Sequence, residues 1–159
     1  MKRLIALLMG LMCVIGLTAC GGKGGETAQK KSFPTSTVQA MVEAGAFSEQ
    51  LEELDADTAF MLYRLGDYGL VREDLVEAAV LRSAGGTCEE GAVLIFTDGE
   101  KAAAAMEALG AYVESQIEAN VDYRPADIPK LEGAVLKHKG NSALLAVPND
   151  AAAVRSLFE

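Results

Sequence analysis

The sequence predicts an α+β fold, a two-layer domain in which one antiparallel sheet carries helices on one face. Two pairs of short apolar runs, each pair separated by a glycine-containing loop, are typical of β-hairpins. Between the pairs lies a long segment with apolar residues at helical spacing, and a shorter helical pattern follows the last run. The resulting order, β-β-α-β-β-α, is that of a single sheet covered by helices. Short helices are predicted in front of it.

The first nineteen residues have the layout of a secretory signal peptide. Lys2 and Arg3 supply a positive charge, and Leu4–Gly16 is an uninterrupted run without charges. This layout is typical of export signals. A permanent transmembrane helix needs about 20 apolar residues, so the run is too short to stay in the membrane. We therefore expect residues 1–19 to direct export and then to be removed.

The signal ends in Leu17-Thr18-Ala19-Cys20, with Gly21 behind it. This box resembles the lipobox of bacterial lipoproteins. The resemblance implies that Cys20 receives a diacylglyceryl group and becomes the mature N-terminus. Each buried CH₂ is worth about 0.8 kcal/mol, so two or three acyl chains anchor a protein stably. We expect a lipid-anchored protein on the extracytoplasmic face of the cell membrane. The alternative is an ordinary cleaved signal with a chance cysteine.

A flexible linker is predicted over residues 20–37. Gly21–Thr37 is rich in Gly, Ser and Thr and offers almost nothing to bury. Such a composition favours a solvated tether. The remaining residues, 38–159, are enough for a single domain of ordinary size, since domains of about 100–150 residues are the commonest.

Composition excludes some classes of partner. Removal of Lys2 and Arg3 with the signal leaves 12 basic against 23 acidic residues, a net charge of −11. An acidic domain is repelled by phosphate backbones, so no nucleic-acid partner is expected. After lipidation of Cys20 only Cys88 remains as a free thiol, which excludes an internal disulfide. The stability of the domain must therefore come from its core.

Three short helices are predicted before the sheet. The first, Val38–Ala44, follows Thr37 as N-cap and ends at a glycine. The second, Phe47–Leu54, has apolar residues three and four positions apart. The third lies in the segment 60–65 and is capped by Asp55 or Asp57.

The first hairpin is predicted from Val76–Ser83 and Ala92–Thr97. Thr97-Asp98-Gly99-Glu100 has the form of a capping box, which marks the start of a helix. That helix should run from Asp98 to Ala119, since one apolar stripe repeats along it. The stripe consists of Ala102, Met106, Leu109, Val113 and Ile117.

The segment Val121–Lys130 contains two prolines and cannot continue the helix. A second hairpin follows, from Ala134–Lys139 and Ser142–Val147, around a two-residue Gly-Asn turn. In this register Leu136 lies opposite Leu145, and His138 lies opposite Ala143. Asp150 or Asn149 should cap a closing helix, Ala151–Phe158.

Several of these features are similar to a known family. They are Glu90 before the second strand, the long helix ending in polar residues such as Gln116, and the Tyr-x-Pro of Tyr123-Arg124-Pro125. A strand, a glycine turn, a strand, an acidic residue and a short helix follow. The pattern resembles domain of unknown function 4358, whose members are short bacterial lipoproteins, and the resemblance covers Val38–Glu159. It implies a lipoprotein with one small α+β domain and brings no activity with it.

The sequence offers no standard set of catalytic or metal-binding residues. Its one histidine, His138, lies beside a tight turn, where a surface position is expected. Cys88 lies next to Glu89 and Glu90, and neighbouring carboxylates disfavour the reactive thiolate. One histidine and one free cysteine cannot supply the four ligands of a structural zinc site. We therefore expect no metal and no cofactor.

The expected function is binding rather than catalysis. The candidate binding residues are Glu90, Tyr123 and Arg124. Tyr and Arg are favoured contact residues, and Pro125 stiffens the segment of Tyr123 and Arg124. The alternative for Tyr123 is that it covers the end of the long helix. The first hypothesis is a non-enzymatic binding or accessory module of the cell envelope, with the membrane and an envelope protein as the expected partners. The rival hypothesis is a hydrolase that uses carboxylates on an envelope polymer. A solute-capturing protein is disfavoured, because one small domain does not make two lobes around a ligand.

Overall fold

A computed structural model describes residues 32–159. The signal peptide over 1–19, Cys20 and most of the linker lie outside the described residues, so the expectations about them stay predictions. No helix in the described part of the chain is long and apolar enough to cross a membrane.

The described residues form one five-stranded sheet, and each pair of neighbouring strands is antiparallel. The strand order is β1-β2-β3-β5-β4. The strands are β1 (Glu52–Leu54), β2 (Leu75–Arg82), β3 (Glu90–Phe96), β4 (Val135–Lys139) and β5 (Ser142–Val147). The helices are α1 (Ser36–Glu43), α2 (Ala56–Leu62), α3 (Gly99–Asn120), α4 (Ile128–Glu132) and α5 (Ala151–Ser156). The predicted α+β class, its single antiparallel sheet and both hairpins are confirmed.

The two central strands, β3 and β5, are buried along almost their whole length. One face of β3 packs beneath α3 through Ala92, Leu94 and Phe96. The other face carries Val93, which belongs to a second apolar cluster. Strands that are covered on both faces read as continuous apolar runs, and Ala92–Thr97 has this pattern.

The helices cover both faces of the sheet, whereas the sequence predicted helices on one face only. The long helix α3 packs on the first face together with α2 and α4. On the second face lie α1, through Val38 and Met41, and α5, through Val154. These terminal helices reach the second face because the central strands present apolar side chains there as well. The prediction of two layers is therefore corrected to a sheet between two helical layers.

The long helix begins and ends close to its predicted bounds. The Asp98 side chain caps it by accepting a hydrogen bond from the backbone N–H of Lys101, 2.9 Å away. A short 3₁₀ turn, Pro125–Asp127, leads into α4, which has Pro129 in its first turn, where proline is tolerated. The predicted interruption by the two prolines thus separates two helices.

In the second hairpin, Leu136 lies opposite Leu145 and His138 opposite Ala143, as predicted. Gly140 has a φ of +61° at the turn, which is the left-handed conformation that glycine adopts without strain. The closing helix is capped by Asp150, which accepts hydrogen bonds from the backbone N–H groups of Ala152 and Ala153.

Two predictions about the N-terminal third are wrong. The helix predicted over Phe47–Leu54 is replaced by an irregular segment and strand β1, because pairing with β2 outweighs the weak helical spacing. The predicted linker also ends too late, since Phe33 is buried in the second apolar cluster and α1 begins at Ser36. Phe33 meets the Phe158 ring edge-on, 5.4 Å between centroids, so residue 33 already belongs to the folded body.

Gly91 is closely packed, because the Phe47 ring lies directly over it. A Cβ atom there would lie 2.9 Å from Cζ of Phe47 and 3.4 Å from Cε of Met41. We expect Gly91→Ala to lower the free energy of unfolding by about 1 kcal/mol, since an overpacked core strains its neighbours. Gly110→Ala is the matched control, because a Cβ atom at this position in α3 would meet no atom within 4 Å apart from the neighbouring backbone of the helix. Alanine there should stabilise by about 0.5–1 kcal/mol. Equal urea midpoints for the two variants would contradict this packing.

Candidate functional site

The candidate site is built on a row of charged residues that runs across three strands. Glu52 on β1 lies opposite Arg82 on β2, and Arg82 lies opposite Glu90 on β3. The strands fix this order, because residues in register on neighbouring strands present their side chains to the same face. That face is the one covered by α3. Glu90 and Ala92 are two residues apart on β3 and so lie on the same face, and Ala92 belongs to the apolar cluster under α3.

Glu90 is the buried end of this row. Glu90 is 1% exposed, and its carboxylate accepts hydrogen bonds from three side chains. The Tyr112 hydroxyl donates at 2.8 Å, Arg82 Nε donates at 3.0 Å, and the Tyr63 hydroxyl donates to the other oxygen. The two tyrosine rings meet edge-on, 5.1 Å between centroids. The carboxylate is therefore a fixed internal support for Arg82.

Burial dominates the ionisation of this cluster. It raises the pKa of the Glu90 carboxyl above its ordinary value, although the hydrogen bonds from Tyr63, Tyr112 and Arg82 oppose the shift. Burial, followed by the nearby Glu90 charge, also raises the pKa of both tyrosines well above the usual range. The tyrosines therefore remain neutral hydrogen-bond donors at neutral pH.

The raised pKa of Glu90 makes stability depend on pH in a defined direction. The folded chain binds this proton more tightly than the unfolded chain, so the contribution is complete below pH 4.5 and is lost as pH rises through the folded-state pKa. Glu90→Gln removes the titration. We expect the stability of the natural chain relative to this variant to be greater at about pH 5 than at about pH 7. Urea unfolding at both values measures it, and an opposite trend would mean that pairing with Arg82 outweighs burial.

Arg82 connects the buried cluster to the surface. Its side chain is 38% exposed and lines a groove of about 440 Å³ between the β2–β3 loop and the end of α3. Its Nε donates to Glu90, and the guanidinium also lies beside the Tyr112 hydroxyl. Because the side chain is more than a third exposed and lines the groove, part of it is accessible to solvent. The groove is lined by Glu52, Leu54, Arg82, Ser83, Ala84, Gly85, Thr87, Cys88, Gln116, Asn120, Tyr123 and Arg124.

The structure brings the predicted Tyr123 and Arg124 to the rim of this groove. The Arg124 guanidinium donates hydrogen bonds to the Gly85 carbonyl at 2.6 Å and to the Thr87 carbonyl at 3.3 Å. It also lies over the Tyr123 ring, 5.3 Å from the centroid. The Tyr123 residue is 75% exposed. Arg124 therefore joins the segment behind α3 to the β2–β3 loop. The Tyr123 ring is exposed to solvent and does not cover the end of α3.

Glu90, the third predicted residue, does not line the groove. It lies beneath the groove and acts on it through Arg82. Arg82, Tyr63 and Tyr112, which surround Glu90, were not predicted from the sequence. The spacing of apolar residues does not indicate these three residues, because their cluster forms only when β2, β3, α3 and the end of α2 come together. The pairing of Arg82 with Glu90 across the first hairpin was the one available signal.

A second carboxylate, Glu89, is also fully buried. It accepts a hydrogen bond from the Ser48 backbone at 2.7 Å and one from the Ser48 hydroxyl. Lys130 Nζ lies 2.7 Å from it and 3.4 Å from Asp127. Partial burial opposes the charge on Lys130, but the bond to Glu89 outweighs it and raises the pKa of the ammonium. This pair holds α4 to the start of β3.

The remaining candidates for chemistry are placed as follows. Cys88 lines the groove, and burial, followed by the Asp127 charge, raises the pKa of its thiol. A raised pKa disfavours the nucleophilic thiolate. His138 is exposed at the hairpin end, where its ring lies 3.0 Å from the Gly140 carbonyl. Within residues 32–159, no three side chains of the metal-ligating types come together.

A second groove, of about 560 Å³, lies along the other side of the tyrosine pair. Its one cation, Arg64, is paired with Asp67 at 2.6 Å on the surface. Both grooves include Gln116. The groove at Arg82 is the better candidate for binding, because it contains accessible guanidinium nitrogens and an exposed aromatic ring.

The fold and site together define a small α+β domain with a polar surface groove that is supported by a buried glutamate. The chain matches the family model described as Domain of unknown function (DUF4358) over residues 48–148. It belongs to that family. No curated protein and no solved structure matches the chain. The matched region includes the whole sheet and α3, together with Glu90, Arg82 and the Tyr123–Pro125 segment.

Proposed function

We propose that the chain is a lipid-anchored bacterial lipoprotein of the extracytoplasmic membrane face whose folded domain is a non-enzymatic binding module. The signal-like segment and its box at Cys20 support the anchor. The residues behind the linker would form one small domain, and Phe33 already belongs to its second apolar cluster. The lipid would hold this domain close to the membrane, within reach of an envelope protein.

One observation carries the binding role: Tyr123 is 75% exposed at the rim of a groove that also holds accessible Arg82 nitrogens. Tyrosine and arginine are the residue types most often found at the energetic centre of interfaces. Both are fixed in place, because Arg124 braces Tyr123 and Glu90 holds Arg82. Little conformational entropy is then lost when a partner binds.

The arrangement of the carboxylates favours binding over hydrolysis. A carboxylate hydrolase needs two carboxyl groups facing one pocket, about 5–10 Å apart. Glu89 and Glu90 are instead both buried and engaged by several donors. Neither lines the groove at Arg82, in which Glu52 is the one carboxylate. This arrangement supports the proposal of recognition rather than hydrolysis at this groove.

The test is a photo-crosslinking amino acid placed at position 123 in intact cells, followed by affinity purification and mass spectrometry. We expect one dominant envelope protein to be captured. The matched control is the same amino acid at position 61, because Met61 is 69% exposed and does not line the groove. The same captured proteins at both positions, or none at position 123, would contradict the proposal.

A further inference from the structure

The charge on Arg82 is only partly used inside the protein. A guanidinium has five N–H donors, and the ion pair with Glu90 uses the one on Nε. The side chain is 38% exposed and lines the groove, so its two terminal nitrogens are the donors available there. These nitrogens present parallel N–H groups that match the two oxygens of a carboxylate. Glu90 thus orients Arg82 and leaves its outer edge available for an external anion.

The charges around the groove favour an anion with a single negative charge. The groove has guanidinium groups from Arg82 and Arg124, and the exposed Glu52 lies in register with Arg82. The ion pairs of residues 32–159 include none between Arg82 and Glu52. Glu52 would repel a doubly charged phosphate more strongly than a carboxylate. A planar monoanion fits both the shape of the donor edge and the local charge.

We propose that this groove binds the carboxylate group of its ligand, with the outer edge of Arg82 as donor and the Tyr123 ring as cover. The inference rests on the proposed binding function and adds the chemical class of the ligand. A carboxylate can come from a small free acid or from the end of a peptide. The two sources share the same contact with Arg82, and the experiment separates them.

The test observes the arginine Nε–H resonances of the full-length, isotope-labelled chain in detergent micelles by NMR. The probes are glutarate, a short neutral peptide with a free carboxyl terminus, the same peptide with an amidated terminus, and inorganic phosphate. We expect saturable shifts of the Arg82 resonance at millimolar concentration with glutarate or the free peptide. The amidated peptide should produce none, and phosphate should bind more weakly. A stronger response to the free peptide than to glutarate would identify a peptide end as the source.

Two variants connect the binding to the geometry. Arg82→Lys keeps the charge but removes the paired donors, and we expect the carboxylate affinity to fall by about tenfold. Glu52→Gln removes the neighbouring negative charge without touching Glu90, and it should raise the affinity by about twofold to threefold. Arg155→Lys on α5, an exposed position that does not line the groove, should leave the carboxylate affinity unchanged. The Glu52 variant keeps the test decisive even if Arg82→Lys fails to fold.

The outcomes separate this inference from the proposed function. No saturable shift of Arg82 with any carboxylate, or equal shifts with the amidated peptide, would overturn the carboxylate assignment while crosslinking at position 123 could still succeed. Carboxylate binding at Arg82 without any crosslinked protein would instead support the ligand class and overturn the role in binding an envelope protein.

Discussion

Replacing Glu90 with alanine is expected to lower the free energy of unfolding by about 3 kcal/mol. The change removes the acceptor of the Tyr63 and Tyr112 hydroxyls and the partner of Arg82. Tyr63 is 1% exposed, so its hydroxyl would lose its partner without gaining water. Breaking a buried, hydrogen-bonded pair costs more than the pair itself contributes, because the remaining groups stay desolvated.

Chemical denaturation measures this effect, and Glu107→Ala is the control, since Glu107 is an exposed glutamate on α3. The control should stay within about 0.5 kcal/mol of the natural chain. Stability of the Glu90 variant equal to that of the control would mean that the cluster does not hold the sheet to α3.

Replacing Cys20 with alanine is expected to abolish fatty-acid labelling and to release or mislocalise the protein. The physical reason is that each acyl CH₂ contributes about 0.8 kcal/mol to membrane binding, and the variant cannot receive the acyl chains at this position. Metabolic labelling with an alkyne fatty acid, followed by fractionation, measures both effects.

The control for the anchor is Cys88→Ala, which removes a thiol that is partly buried at the groove. This variant should keep its label and its membrane location. Labelling that persists in Cys20→Ala would overturn the lipobox interpretation, whereas absence of labelling in the natural chain would favour the ordinary cleaved signal.

The sequence predicted those elements whose local pattern and tertiary role agree. The apolar run of Ala92–Thr97, the stripe along α3 and the Gly-Asn turn each indicated the element that forms. The predictions failed where distant packing decides the outcome. Strand β1 has three residues and exists only because β2 offers it a partner. Phe33 lies in a segment with the composition of a linker, and it is buried because the second face of the sheet needs a cover.

The candidate site could be predicted only in part, for the same reason. Tyr123 and Arg124 are neighbours in sequence and are followed by Pro125, and this local pattern predicted a binding segment. The support of the groove comes instead from residues far apart in the chain: Tyr63 is 27 positions from Glu90, and Tyr112 is 22 positions from it. Sequence spacing does not reveal such a cluster, since each member alone resembles an ordinary core or surface residue.

The most direct test of the account is the yield of crosslinked partner from position 123, measured in the natural background and in Arg82→Gln. The proposed binding surface is the groove that Tyr123 and Arg82 both line. We expect one dominant partner in the natural background and a yield that falls by about tenfold in the variant, since a central arginine is a typical energetic hot spot. An unchanged yield and an unchanged partner in Arg82→Gln would contradict it.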